Sequence, residues 1–250
     1  EYEQPPMPQV GYLWTPGYWA YTDDGYYWVP GTWVAVPEQG LLWTPGYWEN
    51  TGDNFVWHDG YWANQVGYYG GINYGYGYGG AGYEGGYWQN NQLYYNRTVN
   101  NVTNVNVTNV YNKTVIVNNT TVTNVSYNGG QGGTAARPTE QELAVSREHH
   151  VAPTSDQMQH RQAASTNRAQ FASVNHGQPA VVATPKPGVF SGKDVVTASK
   201  VTTPYRQESG GDVATKKPAP EPQKAAQPEP QKTAQPEAQK PAEQKPAEQK

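Results

Sequence analysis

A mainly β fold is predicted, a small antiparallel meander of Trp-rich hairpins, and three observations predict it. Tryptophan recurs at a fixed spacing, an aromatic or aliphatic residue stands two positions ahead of it, and turn residues punctuate the chain too often for helices. The copies are Trp14-Thr-Pro-Gly-Tyr-Trp19, Trp28-Val-Pro-Gly-Thr-Trp33, Trp43-Thr-Pro-Gly-Tyr-Trp48 and Trp57-His-Asp-Gly-Tyr-Trp62. Their first tryptophans are offset by 14, 15 and 14 residues. Tyr12, Tyr26, Leu41 and Phe55 each precede a first Trp by two, the period of a strand.

Each copy reads as a tight hairpin. Pro presets φ for the second turn position and Gly accepts positive φ at the third, with Asp59-Gly60 as the fourth variant. A two-residue loop makes Trp14 face Trp19, Trp28 face Trp33, Trp43 face Trp48 and Trp57 face Trp62, at positions where side chains approach most closely. Pro-Gly favours a type II turn, whose twist suits a hairpin less well than the primed turns do. The loops Asp23-Asp24-Gly25, Pro37 to Gly40 and Asn50 to Asn54 join the copies, giving about eight short strands with acidic residues at the rim.

The rest of the chain changes composition by segment. Residues 1–11 form an N-terminal leader, 12–65 the hairpin repeats, and 66–95 a Tyr/Gly-rich tract closed by a strand or hairpin. Residues 96–128 are an Asn/Thr/Val tract that is β-prone, for which a strand set, a short solenoid and an assembly-prone segment all remain open. Its seven Asn-x-Ser/Thr matches read as a by-product of composition. Residues 129–176 hold short helices and linker: Thr139-Glu-Gln-Glu142 is a capping box opening a helix to about His150, and Thr154 or Ser155 caps a second to about Ala164. Neither has a wide apolar face, so both read as surface or transient helices. From residue 177 to 250 the chain reads as a disordered Pro/Ala/Lys/Gln tail.

Composition narrows the function. Leu, Ile, Val and Phe supply only about 14% of the chain, below the level of roughly 20% at which disorder is the default. Nine Trp and 20 Tyr must therefore do the packing. The absence of Cys excludes a disulfide scaffold, a thiolate zinc site and a Cys nucleophile. Residues 1–130 carry nine acids against Arg97 and Lys113, a surface that repels phosphate backbones and disfavours nucleic acid. No apolar run is long enough for a transmembrane helix.

The four W-x-x-G-x-W copies, with Tyr95-Asn-Arg-Thr-Val-Asn-Asn-Val following them, resemble the YXWGXW (WXXGXW) repeat family of bacterial envelope and secreted proteins. The resemblance implies an extracytoplasmic protein of the cell envelope, periplasmic, outer-membrane associated or secreted, with a signal peptide removed. It implies no activity, no cofactor and no catalytic residue.

Chemistry-bearing constellations are sparse. Asp23, Asp24, Glu38, Asp53 and Asp59 sit where acids are ordinary turn residues, so no enzyme is expected. His149, His150, Glu148 and His160 match no closed metal site, Asp53 beside Asn50 and Asn54 is a poor Ca²⁺ loop, and no metal is expected. The eight repeat tryptophans, Trp14, Trp19, Trp28, Trp33, Trp43, Trp48, Trp57 and Trp62, carry two readings. They are the core, or at least one pair is a platform that stacks on sugar rings of peptidoglycan or exopolysaccharide. Self-association through the Tyr/Gly and Asn/Thr/Val tracts into an extracellular matrix is a further reading.

Overall fold

The computed structural model describes residues 2–103, 106–115 and 125–198. The repeats form eight strands: β1 (Tyr12–Thr15), β2 (Tyr18–Thr22), β3 (Gly25–Val29), β4 (Gly31–Ala35), β5 (Leu42–Thr44), β6 (Tyr47–Asn50), β7 (Phe55–His58) and β8 (Tyr61–Ala63). The mainly β class and the strand count agree with the sequence, but the pairing does not. β2 pairs with β3 and β1 with β4; β6 pairs with β7 and β5 with β8, all antiparallel. The chain reverses at the acidic loops and runs on through each Pro-Gly, so two long hairpins form, each kinked at mid-length.

The backbone explains the reversal sites. A type II turn needs positive φ at its Gly, yet none of Gly17, Gly31, Gly46 and Gly60 has it, whereas Gly25 (φ +106°) and Gly52 (φ +101°) in the acidic loops do. Thr22 opposite Gly25 closes the first loop; Asn50 opposite Phe55 closes the second, where Gly52 N–H donates to Asn50 Oδ1 at 2.8 Å. Pro16, Pro30 and Pro45 donate no hydrogen bond, which breaks the ladder and bends the strands there.

The four glycines do a different job. Gly17 lies against Gly31 and Gly46 against Gly60, so close that a Cβ on Gly17 would come within 2.7 Å of Gly31 N. Each is also roofed by the first Trp of the facing copy: a Cβ on Gly31 would meet the Trp14 ring at 2.5 Å, one on Gly17 the Trp28 ring at 2.5 Å, one on Gly60 the Trp43 ring at 2.4 Å and one on Gly46 the Trp57 ring at 2.5 Å. The motif thus encodes a cross-strand lock between two copies, in which an indole needs a neighbour without a side chain.

Around the repeats lie β9 (Asn73–Gly75), β10 (Tyr78–Gly79), β11 (Gly86–Gln89), β12 (Gln92–Asn96), β13 (Val110–Tyr111) and β14 (Tyr127–Asn128). Then come α1 (Glu140–Val145), α2 (Ser155–Thr166), α3 (Ala172–Asn175), β15 (Val181–Thr184) and β16 (Val196–Thr197). The Tyr/Gly tract folds inward: Tyr69 and Tyr78 are fully buried, and Tyr78 OH donates to the Trp43 carbonyl at 2.9 Å. β11 and β12 form the closing hairpin expected before residue 96. In the Asn/Thr/Val tract β13 adds parallel to β12, and β14 parallel to β6; residues 104–105 and 116–124 lie outside the described residues.

Two sequence expectations need correction. The leader is part of the core: Met7 is buried and Pro5 O accepts the Trp33 indole N–H at 2.8 Å. Both helices start at the expected capping boxes, Thr139 with Glu142 and Thr154 with Gln157, and α2 lies on the surface with one narrow buried face. It buries His160 and Ala164, the latter in a second small core with Ala20, Tyr27, Val29 and Phe171. A small residue and a hydrogen-bonded imidazole suffice to seat it, so hydropathy gave no apolar stripe. The tail does not begin at 177: β15 is buried at all four positions and pairs parallel with β4. Val-Val-Ala-Thr is the short apolar run of a strand covered on both faces, set among prolines that mask it in the sequence. The tail beyond residue 198 lies outside the described residues.

Candidate functional site: an aromatic groove between the hairpins

Because each Trp faces a copy other than its own, the eight indoles form four cross-strand pairs: Trp14 with Trp33, Trp19 with Trp28, Trp43 with Trp62, and Trp48 with Trp57. Ring centroids are 5.2–5.5 Å apart and planes are inclined by 57–66°, so Trp14–Trp33 and Trp19–Trp28 meet edge to face, the other two pairs are tilted, and none is coplanar. That is the arrangement a ring quadrupole favours.

The kink divides the pairs into two classes. Trp14–Trp33 and Trp43–Trp62, near the open ends of the hairpins, are core, each ring 7% exposed or less. They pack with Met7, Tyr69, Tyr78 and Val182. The Trp62 N–H donates to Gln157 Oε1 at 2.9 Å, whereas Trp14 Nε1 is buried without a partner. Trp19–Trp28 and Trp48–Trp57, on the turn side of each kink, are only half-buried.

These two outer pairs line one cavity. Trp48 N–H donates to the Trp19 carbonyl at 2.8 Å, tying one hairpin to the other, and Trp57 stacks on Tyr18 at 4.9 Å with planes 16° apart. Tyr26 contacts Trp48 edge-on at 5.9 Å, and Phe55 meets Tyr127 at 5.0 Å. The groove between them measures about 580 Å³ and is walled by the four indoles, Tyr18, Tyr26, Phe55, Ile72, Tyr74 and Tyr127, with Asn73 and Ser126 as polar groups. Among the described residues none that lines it is charged. Burial raises the Tyr18 and Tyr74 phenols, so both stay neutral, and Tyr74 OH donates to the Gly46 carbonyl at 2.6 Å.

Tyr26 and Phe55 were visible in the sequence, since each stands two before a first Trp and so shares its face. Tyr18, Tyr74 and Tyr127 reach the groove through contacts between hairpins or from later strands, and no local pattern marks them.

No acidic residue lines the groove among the described residues. Asp23, Asp24, Glu38 and Asp53 are exposed in loops, and Asp59 accepts from the Trp57 indole at 2.7 Å and pairs with Arg161 at 3.6 Å. The histidines are separately engaged. His150 stacks on Tyr61 at 3.7 Å, whereas His160 Nε2 donates to the Pro30 carbonyl at 2.9 Å and Nδ1 accepts from Gly188 N–H at 3.0 Å. Among the described residues no three His, Asp or Glu side chains gather as metal ligands, and no helix is long and apolar enough to cross a membrane.

Compared with known proteins, the chain matches the WXXGXW repeat family twice, at residues 10–34 and 41–64. No curated protein and no solved structure matches it. Each match coincides with one kinked hairpin, β1 to β4 and β5 to β8. The repeat unit is therefore a hairpin holding two W-x-x-G-x-W segments locked across their glycines, and this chain carries two copies of the WXXGXW repeat.

Proposed function

We propose that the protein is a non-enzymatic, extracytoplasmic binding module of the bacterial cell envelope, and that its groove takes a polysaccharide, a peptidoglycan strand or an exopolysaccharide. The observation that carries the reading is the division of the Trp pairs. Two pairs suffice for the core, while the other two keep part of their indole surface in an uncharged groove. The volume lies within the roughly 300–1,000 Å³ of small-ligand sites, and such sites are lined mostly by aromatic groups with a few polar ones. The rings are held by backbone pairing and by the Trp48–Trp19 hydrogen bond, so little conformational freedom would be lost on binding. Apolar C–H faces of sugars suit such walls, and Asn73 and Ser126 offer partners for hydroxyls. The location in the envelope rests on the repeat's resemblance. Self-association takes second place, because Tyr69 and Tyr78 of the Tyr/Gly tract are turned into the core.

Titration of soluble peptidoglycan fragments and neutral exopolysaccharide oligomers against tryptophan fluorescence tests the proposal. Saturable quenching by one of them is expected, with loss of the response in Trp19→Ala and Trp48→Ala. A flat titration with every glycan would remove the binding role.

A further inference from the structure

On the other side of the second hairpin lies a cavity of about 340 Å³ that the glycan reading does not use. Its walls include Tyr47, Tyr61, Tyr68 and His58, and Glu142 lines it as well. The rings form a corner: Tyr47 stacks on His58 at 4.6 Å, and Tyr68 stands edge-on to Tyr47 at 5.4 Å with planes 76° apart. Tyr61 is backed by His150 at 3.7 Å, which fixes its orientation. All three tyrosines remain partly exposed.

The carboxylate is the unusual member. Glu142 is only 5% exposed, and its Oε2 accepts both the Thr139 N–H at 2.8 Å and the Thr139 hydroxyl at 2.9 Å. Its Oε1 is buried and has no hydrogen-bond partner. A capping box needs one carboxylate oxygen, so the second is left over in a site where an unsatisfied acceptor is costly. Of the other carboxylates nearby, Asp59 lines the cavity but accepts from the Trp57 indole at 2.7 Å and pairs with Arg161 at 3.6 Å, and Glu49 is paired with His58 at 2.7 Å. Burial raises all three phenols, and Glu142 raises Tyr61 and Tyr68 further while Arg137 lowers Tyr68.

We propose that this cavity is a binding site for an alkylated ammonium group. Aromatic faces carry a negative quadrupole that attracts a cation, and apolar ring walls favour a weakly hydrated alkylammonium over a strongly hydrated metal ion. The buried carboxylate supplies the countercharge. The net acidity of residues 1–130 draws cations toward this part of the chain. A free amine and a lipid headgroup can present the same group.

The test uses the full chain, with calorimetric titration of choline and of its neutral carbon isostere, 3,3-dimethylbutan-1-ol. Saturable choline binding is expected, with the isostere weaker by at least about tenfold. Glu142→Gln should weaken choline by about tenfold or more while keeping the fold, because Gln also completes a capping box; unchanged circular dichroism checks this. Tyr68→Leu should weaken it similarly, whereas Trp19→Ala in the groove should leave it unchanged, so failure of the glycan reading would not disturb this one. Binding to choline alone identifies a soluble cation, and added binding to phosphatidylcholine vesicles identifies a headgroup; both support the site. Equal affinity for choline and its isostere, an unaffected Glu142→Gln, or no binding of choline in either form would overturn it.

Discussion

Placing a methyl group on Gly31 tests the lock between copies most directly. In Gly31→Ala the new Cβ would sit 2.5 Å from Cζ2 of Trp14 and 3.0 Å from both its Cη2 and Gly17 N. The indole cannot swing clear, because Trp14 is 3% exposed and packs edge-on against Trp33 at 5.5 Å. Moving the backbone instead would pull apart the Gly17–Gly31 contact that joins the two ladders. Overpacking of this kind costs about 1–3 kcal/mol, and with both neighbours fixed the upper part of that range is expected. Gly79→Ala is the control: nothing lies within 4 Å of its Cβ and its φ is not positive, so it should be neutral or slightly stabilising, within about 1 kcal/mol. Urea unfolding followed by far-UV circular dichroism gives both values. A double-mutant cycle with Trp14→Phe, which removes the ring atoms in conflict, should recover about 1 kcal/mol or more of the Gly31→Ala loss. If Gly31→Ala matches Gly79→Ala, or the two substitutions simply add, the lock is not what the glycine is for.

The two classes of Trp pair should differ in energy. Trp43→Ala removes a core ring and is expected to cost about 3–5 kcal/mol, and Trp19→Ala about half of that or less, again read from urea unfolding. Equal losses would erase the distinction between core and groove. Stability should also depend on pH through His160. Burial lowers its pKa to about 4, partly offset by the hydrogen bond to Pro30, against about 6.5 in the unfolded chain. Between those values the unfolded state takes up a proton and the folded state does not, so stability is full above about pH 6.5 and falls as pH drops toward 4, by about 3 kcal/mol at most. Melting temperatures from pH 7.5 to 4.5 should show this slope, and His160→Gln should flatten it. An unchanged slope in the variant would place the titration elsewhere.

Legibility in the sequence followed the range of the interaction. Strands, repeat spacing and the capping boxes at Thr139 and Thr154 are set by residues within a few positions of one another, and they were readable. The helix ends were less so: α1 stops at Val145, short of His150, where Arg147 and Glu148 N–H bond back to the Ala144 and Val145 carbonyls at 3.0 Å in tighter turns. Of the other aromatic residues of the groove, Tyr26 and Phe55 are readable by period and Tyr18, Tyr74 and Tyr127 are not.

By itself the sequence determined that indoles would pair across strands and that Pro-Gly and Asp-Gly would punctuate them, since periodicity and φ preference are local properties. Which indoles pair was a tertiary decision. Trp14 faces Trp33 and not Trp19 because the Pro-Gly glycines are held near the facing chain without positive φ, and a partner fourteen residues away, not a neighbouring turn, supplies the closing contact. The same holds for the fate of each pair: the leader, the Tyr/Gly tract and β15 are contributed from distant parts of the chain, and they bury the open ends of the hairpins while leaving the turn-side tryptophans on a groove.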